Sequence, residues 1–294
     1  MFWSEEMGII RTDKWMEEEF DRPTKICEKL LPAFKGLSSL KIYNQLIEFG
    51  MYRPSRMTKE IFTSLKENYV WEEVEFIFQD YKKKWGGPDI PIYLFPIGQD
   101  RSFFSRQTEK VKGGVSYPDK MFLFLSNRIT SKELEALFVH EYHHICRLNK
   151  QSKRFEEYTL LDSIIIEGLA EYSVLVHCGR NYLADWCTLY SDTELENWWE
   201  DYLHENLDLK KNSRKHDDLL FGEGRFPKLL GYAAGFKIVE DYYKVHSYST
   251  KLSFTLPAKK YLLAEDIRPK KGRKNRLFFY TFHLRNKLTY VCPY

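Results

Sequence analysis

The 294-residue sequence has no uncharged apolar run near the ~18 residues that a membrane-spanning helix requires; Ile90 to Gln99 is typical of its longest. The N-terminus carries Glu5 and Glu6 where a secretory leader would place a basic stretch followed by a greasy one, so no signal peptide is expected. Cysteine is sparse. Cys27, Cys146, Cys178, Cys187 and Cys292 are odd in number, scattered, and include no CxxC pair. That argues against a disulfide framework and against a thiolate zinc knuckle, and it points to a reducing cytoplasm. There is no internal repeat and no Ser/Gly-rich linker.

What is present is the composition of a folded chain. Apolar residues make up 43% and charged residues 30%, which is neither disordered nor fibrous. The length suffices to bury a core without staples. The net charge of +3 hides an asymmetry. The stretch 268–294 holds eight basic residues and no acid, leaving 37 basic against 42 acidic residues before it, a balance of −5. Arg268 to Arg276 alone carries six basic residues in nine. This tail is expected to be a solvated extension that does not serve a catalytic site; the competing reading, an anion or nucleic-acid contact, predicts salt-sensitive binding lost on truncation after residue 267.

Residues 1 to 85 read mainly as helices. Leu40, Tyr43, Leu46, Ile47 and Phe49 approximate the 3.6-residue period, and Ile61, Leu65, Val70 and Val74 continue an apolar face until Gly86-Gly87-Pro88 breaks it. Three short extended runs follow, Ile90 to Phe95, Val115 to Tyr117, and Met121 to Leu125, the last two forming a hairpin candidate around Pro118-Asp119. A capped helix then starts at Thr130 with Glu133 three residues on. A second helix is expected from about Leu160 to His177, ending at Gly179, with Asp162 as a helix-start residue, and a third around Gly231 to Tyr243. The expected organisation is a helical N-terminal part over 1–87, a domain over 88–263 holding the sheet and the later helices, and a basic extension over 264–294. The expected fold class is α+β, mostly helical, with a small sheet preceding the helix that carries the chemistry.

That chemistry lies in His140-Glu141-Tyr142-His143-His144, an HExxH motif. On a helix, His140 and His144 project from one face a turn apart, and two imidazole nitrogens can reach one zinc ion. Glu141 sits one step round, placed to take a proton from metal-activated water and pass it to a leaving amine. His143 lies ~100° round the helix from His144 and is expected to be exposed or behind the ligands, not a ligand itself. A catalytic zinc needs a third protein ligand. Glu167 is the candidate, in Ile166-Glu167-Gly168-Leu169-Ala170-Glu171, with 22 residues between it and His144 for a loop and a return helix. Glu171 lies four residues on, on the same face. One carboxylate can bind zinc while the other accepts the outer N–H of a ligating histidine.

HExxH followed by EGLAE resembles the gluzincin type of zinc metalloprotease. More narrowly, the chain is similar to a bacterial family of predicted Zn-dependent proteases of uncharacterised substrate. Gly8 to Trp15, Gly113 to Pro118, His140 to His144, Ile166 to Glu171, and Gly231-Tyr232 through Gly235-Phe236 carry the resemblance, which covers roughly residues 1 to 260. It implies a zincin-like fold, His140, His144 and Glu167 as ligands of Zn2+, Glu141 as general base, and Glu171 supporting a ligand. It also implies that the edge strand before the HExxH helix, about Gly114 to Tyr117, pairs with extended substrate, which would make Gly114, Val115 and Ser116 substrate contacts while Met121 to Leu125 lies inside the sheet. An oxyanion donor is expected among Tyr232, His204, His246 and His177. Tyr232 leads because it lies in the glycine-spaced segment that resembles the family's, whose small residues would let the helix approach the site closely. The expected function is a cytoplasmic zinc metallopeptidase acting on peptide or protein, with no membrane span and no nucleic-acid partner expected. The alternative is a non-proteolytic zincin fold that regulates or binds a partner.

Overall fold

A computed structural model describes residues 7–98, 111–151 and 153–262; the basic tail lies outside the described residues. The described residues fall into two compact units, 7–149 with 173–182, and 150–172 with 183–262.

The first unit runs β1 (Gly8–Ile9), α1 (Thr12–Glu19), α2 (Pro23–Glu28), α3 (Ser39–Phe49), α4 (Arg56–Glu67), α5 (Val70–Trp85), β2 (Pro91–Pro96), β3 (Lys112–Tyr117), β4 (Lys120–Leu125) and α6 (Ser131–Gln151) up to residue 149. The early residues are helical, as their apolar spacing predicts. The face from Ile61 to Val74 is nonetheless two helices, because Asn68 caps α4 and Tyr69 turns left-handed at φ 55°. Gly86, also left-handed at φ 61°, ends α5 where the Gly-Gly-Pro break is expected.

The sheet order is β1-β2-β4-β3. Strands β1, β2 and β4 are parallel, and β3 runs antiparallel to β4 through the two-residue Pro118-Asp119 connection. Among the described residues strand β3 is therefore one edge of the sheet and β4 an interior strand, buried along its whole length. The two-residue strand β1 was not anticipated; its apolar run is too short to show alternation. The register sets two faces. Tyr93, Phe122 and Val115 are successive partners on one, where Tyr93 stacks on Phe122 at 4.7 Å and Phe34 adds to the cluster at 5.6 Å. Side chains alternate along a strand, so Gly114 and Ser116 face the other way, towards α6. Helix α6 opens with the expected capping box: Thr130 N–H donates to Glu133 Oε2 at 2.8 Å, and Glu133 N–H donates to Thr130 Oγ1 at 3.3 Å.

The second unit holds most of α7 (Leu160–His177), then α8 (Asp192–Trp198), α9 (Arg214–Phe221), α10 (Leu230–Val245) and α11 (Thr250–Thr255). Thr159 and Asp162 cap α7 reciprocally, which confirms Asp162 as a helix-start residue. Helices α7 and α10 meet backbone to backbone. A Cβ on Gly168 would lie 2.1 Å from the Gly235 carbonyl oxygen, and one on Gly235 would lie 2.1 Å from that of Ile164. Only glycine at both positions permits this crossing. Among the described residues no helix is long and apolar enough to cross a membrane.

Candidate metal centre

Helix α6 is buried on nearly every side from Leu134 to Leu148. Its aromatic contacts fix its rotation. Tyr142 donates its hydroxyl hydrogen to the Pro88 carbonyl at 2.9 Å and meets Phe78 edge-on at 5.6 Å. The i, i+4 spacing then brings the His140 and His144 rings to 4.7 Å between centroids, nearly perpendicular at 82°. Both rings are buried, His140 fully. His143 is also fully buried, with its ring edge-on to Trp85 at 6.2 Å. The exposed placement allowed for it is therefore excluded: α6 is covered on that side too, and burial pushes the imidazole well below its ordinary pKa.

Glu141, likewise fully buried, lies against strand β3. Ser116 Oγ donates to its Oε2 at 2.5 Å and lies 3.0 Å from its backbone carbonyl.

In the second unit, Glu167 and Glu171 are both buried on α7. The apolar residues around them in sequence fit this better than a surface face. The Ala184 amide donates to Glu171 Oε1 at 2.5 Å. Lys211 is buried, with its amine above the Phe155 ring at 5.0 Å, and lies within electrostatic reach of Glu167 and Asp217. Burial drives its ammonium well below the ordinary lysine pKa, and the two carboxylates oppose that shift. One turn before Glu167, Ser163 Oγ lies 2.9 Å from His216 Nε2, and His216 Nδ1 lies 2.8 Å from Asp217. This chain ties α7 to α9.

One ligand atom from each of His140, His144 and Glu167 lies within 4.8 Å of the others, and all three residues are buried. Two imidazoles and a carboxylate are the donor set of a catalytic zinc site, so these residues fit that ion.

The other anticipated residues have neighbours of their own. Tyr232 is fully buried on α10, with its ring 5.4 Å from Trp186 and 5.8 Å from Phe221. His177 packs on Tyr81 and Trp85, at 5.7 and 5.5 Å. His204 neighbours Trp199, and His246 stacks on Tyr242 at 4.0 Å on the surface. Gly114, Val115 and Ser116 are all buried within β3. Lys211, His216 and the Ser116–Glu141 contact escaped the sequence reading. A lysine in a Lys-Lys pair and a histidine beside an aspartate look like surface residues, and the partners are 25 to 53 positions away in the chain.

Comparison with known proteins adds two matches. The family described as "Predicted Zn-dependent protease (DUF2268)" matches residues 70–263, a span that takes in every residue of the candidate site. The chain is also similar to the uncharacterized protein YjaZ of Bacillus subtilis (strain 168), with 35% identity over 259 residues that cover 87% of this chain and 98% of that protein. No solved structure matches.

Proposed function

The chain belongs to the family of predicted Zn-dependent proteases, and from that footing we propose that it is a zinc metallopeptidase of gluzincin type whose His140, His144 and Glu167 hold the ion. The observation that carries the reading is the gathering of those three buried donors, with Glu141 next in sequence to the first of them.

Bound zinc supplies a Lewis acid that polarises a scissile carbonyl and brings a water pKa to ~7. The chain's own residues do the rest. Neutral His140 and His144 present ring nitrogens from consecutive turns of one rigid helix. Glu141 receives the proton of the attacking water and delivers it to the departing amine. Glu171, with one oxygen taken by the Ala184 amide, is assigned the support of a ligating histidine. Tyr232 is assigned hydrogen-bond donation to the developing oxyanion. Strand β3, at the sheet's edge, is assigned the pairing with an extended peptide.

The test is a metal analysis of the purified chain together with cleavage of unfolded protein before and after Glu141→Gln. The expected outcome is about one zinc per chain in both, with turnover lowered by about 10²–10⁴-fold in the variant. Undiminished cleavage by Glu141→Gln would remove this mechanism.

A further inference from the structure

We propose that Gly114 and Ser116 form a seat for the general base, and that Ser116 is a positioning residue acting through Glu141, beyond any contact of this strand with substrate. The proposal rests on the peptidase reading above.

A glutamate side chain has three rotatable bonds, and a base is useful only when its oxygen is held within a fraction of an ångström of the proton it takes. Ser116 supplies the hold. Its hydroxyl has one hydrogen, and it donates to Glu141 Oε2 at 2.5 Å. The backbone carbonyl of Glu141, at 3.0 Å, is the weaker neighbour. With 3% exposure, Ser116 does not offer that hydroxyl to bulk water.

Gly114 supplies the room. It lies two residues before Ser116 on the same face of β3. A Cβ there would stand 2.5 Å from Glu141 Oε1, 2.6 Å from Cδ and 2.7 Å from Cγ, closer than real side chains approach. The carboxylate therefore lies flat on the strand, over a position that has no side chain, and is tethered at the next position on that face.

Register makes the seat specific. Gly114 pairs with Leu123 and Ser116 with Met121, and the two-residue connection fixes that pairing. A slip of one residue would turn both away from α6 and present Val115 instead.

The experiment uses the full zinc-loaded chain with fluorescein-labelled casein as substrate. Ser116→Ala is expected to lower kcat by about 10–100-fold with KM and zinc content unchanged. Gly114→Ala, which displaces the carboxylate by collision, is expected to do the same. Ser116→Ala added to Glu141→Gln is expected to cost nothing further, because there is no base left to position. Independently of turnover, urea unfolding of Ser116→Ala, Glu141→Ala and the double variant should be non-additive. A raised KM with intact kcat, or an undiminished effect of Ser116→Ala in the Glu141→Gln background, would overturn the proposal in favour of direct substrate contact. Additive unfolding energies would overturn the contact itself. A wild-type chain that holds zinc and cleaves nothing would overturn the peptidase reading, and the role in turnover with it, even where the unfolding cycle shows coupling.

Discussion

Burial sets the terms for individual residues of the site. His140, Glu141, His143, His144, Glu167 and Glu171 are each 5% exposed or less, and unpartnered charge would be costly there. Replacing Glu167 by Gln removes a charged donor and is expected to leave a chain that loses zinc on dialysis against a chelator, as His144→Ala should; metal analysis after dialysis reads this. Tyr232→Phe deletes only a hydroxyl. If that hydroxyl is the oxyanion donor, kcat should fall by about 10²–10³-fold with zinc retained, and steady-state kinetics on labelled casein will show it. His177 gives a pH prediction. Burial against Tyr81 and Trp85 lowers its pKa to about 4, from an ordinary value of 6.5. Between those values the unfolded chain binds more protons than the folded one. Stability should therefore fall as pH drops from 6.5 towards 4 and gain nothing further from this group below that. Urea midpoints across the window should decline less steeply in His177→Gln.

Secondary-structure elements place these residues through backbone approach as much as through side chains. The α7–α10 crossing tolerates no Cβ at Gly168 or Gly235, since the intruding atom would meet a carbonyl oxygen at 2.1 Å. Gly168→Ala or Gly235→Ala should force the helices apart and cost about 1–3 kcal/mol or more by urea unfolding, whereas an exposed helical glycine would gain from the same change. The glycine spacing of Gly231 to Gly235 suggests an approach of this helix to the site, whereas the close approach in the structure is to another helix. The partner is Gly168, inside EGLAE. That glycine lies between Glu167 and Glu171 and also forms the contact surface of their helix. The hairpin and the capped start of α6 were legible as well, because turn chemistry and capping are local; the interior place of β4 came only with the family resemblance. The division of the Ile61–Val74 face at Tyr69 was not, since a left-handed tyrosine leaves no compositional trace.

For the whole molecule, the charge asymmetry separates from the chemistry. The family match ends at residue 263, and His140, Glu141, His144 and Glu167 all lie before it. A chain ending at residue 267 should keep its zinc and its urea midpoint, with any salt-sensitive binding to polyanions lost; metal analysis and filter binding at two ionic strengths test both halves of that statement. What the sequence by itself determined is what chain-local geometry dictates: two histidines four apart on a helix, a glutamate beside the first, carboxylates on a later helix, caps and a tight turn. Tertiary structure alone decided that Ser116 reaches Glu141 across 25 positions, that Gly168 meets Gly235, and that Lys211 is buried within reach of Glu167. The physical reason is that helix periodicity and capping depend on neighbours within a turn or so, whereas a hydrogen bond or backbone contact between distant residues depends on how strand register and helix crossings are satisfied together, and no short window of sequence records that.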